Sequence, residues 1–342
     1  MERALAEKRN LASNSFHPHR RKNYWIILET IKNYNAPISI AELSRITKIS
    51  YPTIASVLDE LYEKKLIQFK KDSMVPVGRK PVTVEFCSDA GALIGMEIGN
   101  ETYGIVVNFK GDIIYSTSSS LRKHDLNEKH LIEFINALSG TGLAGRKLYG
   151  IGVGISGMVN SEGEYINIET GNRLSVRRII EENFCVPVIV ENDANMMMLA
   201  ESQFGVARGI QNVIYILKTS SGIGFGIMIH GELYRGARGL AGENLEIVPE
   251  KIVSNGNGNT KPATQFIKAI AKLLYLFDPD MIILGGEFLN LGQPFLYYLR
   301  NELEKTDEVK RSIRIEFAKM GKESIVMGVT NLGIQKLFKN NE

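Results

Sequence analysis

The strongest constraint on this chain is a pattern of elements that occurs twice. From about residue 90 the sequence opens with strand-like runs and then alternates strand and helix. Ala92–Gly99, Tyr103–Phe109 and Ile113–Ser118 read as strands, the last two joined at Lys110-Gly111-Asp112. Helix Glu128–Leu138, strand Tyr149–Ile155, helix Val176–Asn183, strand Val186–Glu191 and helix Ala194–Phe204 follow. The order then restarts with strands Val213–Lys218 and Gly224–His230 and a similar turn, His230-Gly231-Glu232. Helix Thr264–Phe277, strand Met281–Leu284, helix Phe295–Glu304, strand Arg314–Ala318 and helix Glu323–Leu337 complete it. A strand-rich start followed by alternating α/β, twice over, predicts an internally duplicated α/β fold. Its two lobes are expected at 88–205 and 206–342, facing each other across a cleft.

The first quarter of the chain reads differently. Residues 1–22 form a basic arm, expected to be flexible, while the net charge of the whole chain is only +3. A local cluster of cations matters more for a polyanion than the total does. Residues 23–66 read as three helices. Ser39 with Glu42 fits the S-x-x-E capping box. Ser50 fits an N-cap, and Pro52 the first turn of the third helix. Two strand-like runs, Leu66–Phe69 and Val82–Phe86, flank a basic loop, Gly78-Arg79-Lys80-Pro81. Three short helices and a hairpin make a winged helix-turn-helix pattern over 23–87. In such a unit the third helix enters the major groove. Ser50, Tyr51, Thr53 and Ser56 would then face base edges, and Arg79 and Lys80 would contact phosphates or the minor groove. The competing reading is a three-helix module that binds protein.

Cys87 and Cys185 are far apart and lack CxxC spacing, so they build neither a disulfide framework nor a cysteine metal site. Both lie in apolar strand-like runs, which predicts buried thiols. No apolar run is long enough to span a bilayer, and the N-terminus lacks a secretory signal's apolar core. A cytoplasmic location is the expectation.

Three motifs carry candidate chemistry. Val190-Glu191-Asn192-Asp193-Ala194-Asn195 ends a strand with polar groups at a helix start. That sheet edge is where open α/β folds bind ligands. Asn and Asp together donate to and accept from hydroxyls, although either residue can equally be a helix cap. Gly236-Ala237-Arg238-Gly239-Leu240-Ala241-Gly242-Glu243 is a glycine-rich loop holding one carboxylate, and a plain surface loop is the alternative. Ser220-Ser221-Gly222-Ile223-Gly224-Phe225-Gly226 fits a phosphate cradle, and Leu284-Gly285-Gly286 a second glycine-rich strand end. Each of these two is weak alone.

Together and in this order the motifs resemble the ROK family of repressors and sugar kinases. The resemblance covers nearly all of the chain after the basic arm. It implies a two-lobed, actin-like (hexokinase-like, duplicated ribonuclease H-like) sugar kinase fold behind the winged helix-turn-helix. The wing resembles the family's xylose and N-acetylglucosamine repressor branch. By the same resemblance Asn172, Asn192, Asp193 and Glu243 would contact a sugar, with Asp193 at the position of the kinases' catalytic base.

The departures point away from catalysis. Family kinases open with a phosphate loop where this chain has Glu97-Ile98-Gly99-Asn100-Glu101. Glu101 sets a negative charge where ATP phosphates would sit, and Ser220 replaces a second-loop glycine. Phosphoryl transfer rests on such phosphate contacts, so no catalytic residue and no cofactor are expected. Glu246 stands where the family's zinc-binding, sugar-contacting histidine is expected, and the cysteine cluster is absent. Four zinc ligands cannot be assembled, so no metal is expected, and Glu246 is counted with the sugar-binding group. Glu246 near Glu243 disfavours phosphorylated sugars and favours a neutral or amino sugar. The partners implied are a palindromic DNA operator, a sugar effector and a second copy, as a homodimer or dimer of dimers, with no membrane. Two alternatives stay open: an active ATP-dependent sugar kinase, and a repressor with a vestigial cleft under the control of a protein partner.

Overall fold

The computed structural model describes residues 18–34, 36–71, 82–168, 170–219, 222–243, 252–254, 261–306, 313–321 and 328. Most of the basic arm, the loop with Arg79 and Lys80, Ser220, Glu246 and the helix expected at Glu323–Leu337 lie outside the described residues.

Helix α1 (Pro18–Asn33) buries Tyr24, Ile27, Leu28 and Ile31, the three-and-four spacing of one helix face. Strand β1 (Ile38–Ser39) leads into α2 (Ile40–Thr47). Ser39 Oγ accepts the Glu42 N–H at 3.2 Å and so caps α2. The expected box is only half formed, because the Glu42 carboxylate takes Arg45 Nε and Nη2 at 2.8 and 2.7 Å. A bidentate charged pair outcompetes a neutral N–H. Helix α3 (Tyr51–Glu63) buries Ile54, Val57, Leu58 and Leu61. Ser50 holds its N-cap position without a capping bond; its hydroxyl meets Thr53 Oγ1 at 2.9 Å instead. Strands β2 (Ile67–Lys71) and β3 (Val82–Phe86) pair antiparallel, and β1 adds on the other side of β3.

The duplication is explicit in the sheets. The first lobe supplies β4 (Ala92–Ile98), β5 (Thr102–Asn108), β6 (Ile113–Ser119), α4 (Glu128–Gly142) and β7 (Leu148–Ile155). Short strands β8 (Met158–Val159), β9 (Tyr165–Ile166) and β10 (Arg173–Leu174) form their own small sheet before α5 (Val176–Phe184) and β11 (Val188–Asn192). Helix α6 (Asp193–Phe204) leads to the second lobe: β12 (Val213–Thr219), β13 (Gly222–Ile229) and β14 (Glu232–Leu233). Then come β15 (Val253–Ser254), β16 (Lys261–Pro262), α7 (Thr264–Phe277), β17 (Met281–Gly286), α8 (Gly292–Thr306) and β18 (Arg314–Phe317). The sheet orders are β11-β7-β4-β5-β6 and β14-β13-β12-β17-β18. In each, the first strand pairs antiparallel with the second and parallel with the first long strand after the antiparallel meander, as β4 does with β5 and β7, and β12 with β13 and β17. The two lobes therefore share one topology.

Packing joins the units. One apolar core runs from Ile27, Leu28, Leu61 and Val84 into Leu93, Ile105, Val107 and Phe109 of the first sheet. The Phe109 ring lies 6.5 Å from Phe86 and 5.0 Å, edge-on, from Tyr149. Leu93 faces this core while its neighbour Ile94 faces the one under α4 and α5, the period-two alternation of a strand covered on both sides. Helix α6 packs on the second sheet, with Ala194 and Met196 through Leu199 against Val213, Tyr215, Met228 and Ile283. Gly226 permits that approach, since a Cβ there would lie 2.5 Å from the Ala194 carbonyl oxygen. On the other face α7 and α8 bury Phe266, Phe288 and Phe295.

The thiols depart from expectation. Cys87 is half-buried just past β3, and Cys185 is exposed. The strand begins only at Val188, and Cys185 takes the left-handed turn that ends α5, at φ 52°. Among the described residues no helix is long and apolar enough to cross a membrane.

Candidate functional site

Strand β11 delivers Glu191 and Asn192 to the carboxyl edge of the first sheet, where α6 begins at Asp193. Asn192 serves both readings of its motif. Its Oδ1 accepts the Asn195 N–H at 2.7 Å, a helix cap, and its Nδ2 donates to Glu243 Oε1 at 2.5 Å. Asp193 Oδ1 accepts the Ala194 N–H at 2.9 Å. Burial holds the Asp193 carboxyl above the usual range, against a hydrogen bond from Ser156 and the charge of Lys123. Burial also pushes Glu243 up to about 7, with the Asp193 charge adding and the Asn192 donation opposing. Asn192, Asp193 and Glu243 thus form one compact group of donors and acceptors, which is what a ring of sugar hydroxyls requires.

The loop that carries Glu243 leaves β14 and lies on the first lobe. Arg235 Nε pairs with Glu191 Oε1. The Ser161 N–H donates to the Arg238 carbonyl at 3.1 Å. Gly239, at φ 79°, sits so close that a Cβ would come within 2.3 Å of Ser161 N. Gly242, at φ 84°, would place one 2.6 Å from the Phe225 carbonyl oxygen. Glycine is required at both positions by approach and by conformation.

Asn172 does not join this group. It is exposed in the turn between β9 and β10, with its N–H on Thr170 Oγ1 and its carbonyl on the Asn167 N–H. Among the described residues no hydrogen bond links it to Asn192, Asp193 or Glu243. Ser156, Lys123 and the pairing of Glu191 with Arg235 are not among the contacts that the motifs announce. The signal for Ser156 was available: it follows β7 at the same carboxyl edge of the sheet.

At the first β-turn the Gly99 N–H donates to the Glu101 carbonyl at 3.0 Å, and the Lys123 N–H to the Gly99 carbonyl at 2.8 Å. Glu101 is exposed there. Among the described residues no group of three or more His, Cys, Asp or Glu side chains is placed to hold a metal ion.

On the N-terminal unit, Ser50, Tyr51 and Ser56 are exposed around the start of α3, Tyr51 at 58%. Thr53 is half-buried and bonded to Ser50. Lys48, exposed at φ 60°, forms the turn between α2 and α3. Asp59 and Glu63 occupy the exposed far half of α3.

Comparison with known proteins agrees with this geometry. Residues 93–247 match the ROK family model. A putative xylose repressor of Caldicellulosiruptor sp. (strain Rt8B.4) is 24% identical over 92% of this chain and 96% of its own. A crystal structure of a ROK family transcriptional regulator, a homolog of the E. coli MLC protein, superposes with a TM-score of 0.73. It is 19% identical and covers 94% of this chain and 97% of its own. A ROK family glucokinase from Streptomyces griseus, in complex with glucose and AMPPNP, superposes at 0.57, with 21% identity, 72% of this chain and 100% of its own. These two structures share the fold. Residues 93–247, from the first sheet to the loop that carries Glu243, thus form a ROK family domain.

Proposed function

We propose that this chain is a sugar-responsive transcription repressor. The N-terminal unit reads DNA as a winged helix-turn-helix, and the cleft beside Asn192, Asp193 and Glu243 takes the sugar that relieves repression. The observation that supports this reading is the compact group of Asn192, Asp193 and Glu243, beside a first turn in which the Gly99 N–H is bonded and Glu101 is exposed. Such a group suits hydroxyls, and the exposed Glu101 carboxylate disfavours a phosphate at that turn. Relatives named as xylose repressors support the same reading. A symmetric dimer on a palindromic operator is the natural arrangement for such a reader. The sugar must bind the released conformer more tightly, or it shifts nothing.

The test is fluorescence anisotropy of labelled DNA from upstream of the chain's own gene and of neighbouring sugar-utilisation genes. D-xylose, D-glucose and N-acetylmannosamine are the first effectors to add. One of a wider sugar panel should release the DNA, and Asp193→Ala should abolish that release while leaving sugar-free binding in place. Release that is indifferent to every sugar, in a protein that binds its DNA well, would refute the sensor. The retained Asp193 favours one second reading, a sugar kinase. A coupled ATPase assay that shows turnover lost in Asp193→Asn would establish it instead.

A further inference from the structure

Glu191 is 8% exposed, and a carboxylate so buried needs both oxygens occupied. Arg235 Nε fills one, and Asn195 Nδ2 the other at 3.2 Å. The contacts then continue. The Asn195 N–H meets Asn192 Oδ1 at 2.7 Å, and Asn192 Nδ2 reaches Glu243 Oε1 at 2.5 Å. Arg235 and Glu243 belong to the same loop after β14. The chain of contacts therefore leaves that loop at Arg235, crosses the first lobe through Glu191, Asn195 and Asn192, and returns to the loop at Glu243. Between these ends the loop is held once more, by the Ser161 N–H on the Arg238 carbonyl.

We propose that Arg235 is a positioning residue of the sugar site, setting where Glu243 and Asn192 stand without touching the sugar. The inference rests on the sensor reading above. Its physical basis is the closed ring: each member has its place fixed by the next, and Arg235 is the member that closes it from the second lobe. Removing it leaves Glu191 with an empty oxygen in a buried place, so Glu191 must turn outward or draw Asn195 with it. Either movement shifts the Asn192 amide and loosens the loop end that delivers Glu243. A site whose supporting contacts are loosened binds less tightly even when its contacting residues are all present. The guanidinium suits the role because its Nε reaches Glu191 while Nη1 points to the Leu233 carbonyl at 3.4 Å, tying both sides of the loop's root.

The test uses the full chain and two measurements. Isothermal titration with the tightest-binding of D-xylose, D-glucose and N-acetylmannosamine gives the affinity well below the melting temperature. Trypsin cleavage after Arg238 in the sugar-free protein gives the anchoring of the loop. Arg235→Gln is expected to weaken sugar binding on the order of tenfold, about one charge-assisted hydrogen bond's worth, and to speed cleavage after Arg238. Arg235→Lys, which restores the charge facing Glu191 but not the second contact to Leu233, should recover part of both, a rescue that general destabilisation would not give. Glu191→Gln should weaken binding in the same way. Wild-type affinity in Arg235→Gln would overturn the inference and leave the sensor reading intact. Equal weakening in the Gln and Lys variants, with unchanged cleavage, would overturn it as well, by reducing Arg235 to a general stabiliser. If the wild type binds none of a full sugar panel, the sensor reading fails and the inference falls with it, an outcome visible before any variant is made.

Discussion

Phe109→Ala tests whether the N-terminal unit and the first lobe unfold as one body. Phe109 is fully buried, at 0% exposure, and belongs to the first sheet's side of the shared core. It touches Phe86 of the N-terminal unit and Tyr149 of β7. Truncating a buried phenylalanine costs roughly 3–5 kcal/mol, and the lost ring pairs belong to the upper part of that range. The hole left by the ring would open between β3, β5 and β7, where Gly91 already lies against Tyr149 and cannot fill it. With a urea dependence of about 3 kcal/mol per molar, the unfolding midpoint should fall by roughly 1–2 M. The chain has a single tryptophan, Trp25, in α1 and packed against this core. Its fluorescence reports the N-terminal unit alone, while far-ultraviolet circular dichroism reports the whole chain. If the core is shared, a substitution in the lobe must move the Trp25 midpoint by the full amount. A Trp25 midpoint unmoved by Phe109→Ala, with the dichroism midpoint lowered, would refute the shared core.

Three further outcomes follow from the same structure. Gly226→Val should lower the melting temperature by an amount worth about 1–3 kcal/mol, because the new Cβ would meet the Ala194 carbonyl and the Met198 Cβ at 2.5 and 2.6 Å; scanning calorimetry measures it. Ser39→Ala removes the cap of α2 and should cost about 1 kcal/mol in urea unfolding. Glu243 titrates near 7 in the folded chain against 4.5 for the free side chain, so the folded state holds the extra proton between these values. Its contribution is therefore stabilising below about pH 4.5 and is lost as pH rises through about 7, and Glu243→Gln should flatten that part of the stability profile.

Long periodic elements were legible in the sequence. Helix α7 was expected at Thr264–Phe277, and those are its ends, because six buried apolar residues recur along it at helical spacing. Strands β1, β8, β9 and β10 were not foreseen, since two residues display no period. Cys185 was misread because Phe184, Val186 and Val188 imitate a strand, whereas the chain turns at Cys185 before the strand begins. A strand end and a glycine loop single out Asn192, Asp193 and Glu243 locally, and the structure sets them side by side. The Arg235–Glu191 pair spans 44 positions and joins two lobes. Nothing in the local sequence of either residue signals the other, and only the fold brings them together. Asn172, expected with Asn192, Asp193 and Glu243, stands in an exposed turn between β9 and β10, apart from that hydrogen-bonded group.

The two ends of one sheet explain how such a chain can couple the group at Asn192, Asp193 and Glu243 to its N-terminal unit. Strand β7 begins beside Tyr149, whose ring packs on Phe109 in the core shared with the N-terminal unit. It ends at Ile155, next to Ser156, which bonds Asp193 in the cleft. Strand β4 runs parallel beside it in unbroken register from Leu93 to Ile98. A hydrogen-bonded sheet covered on both faces does not bend over this length at low cost. Any rotation of the first lobe imposed at the cleft therefore turns the N-terminal unit with it. The second lobe is joined to the first at the cleft through α6 and the loop from Arg235 to Glu243. Relative movement of the lobes must then be taken up around that loop, the segment whose anchoring Arg235→Gln is designed to release.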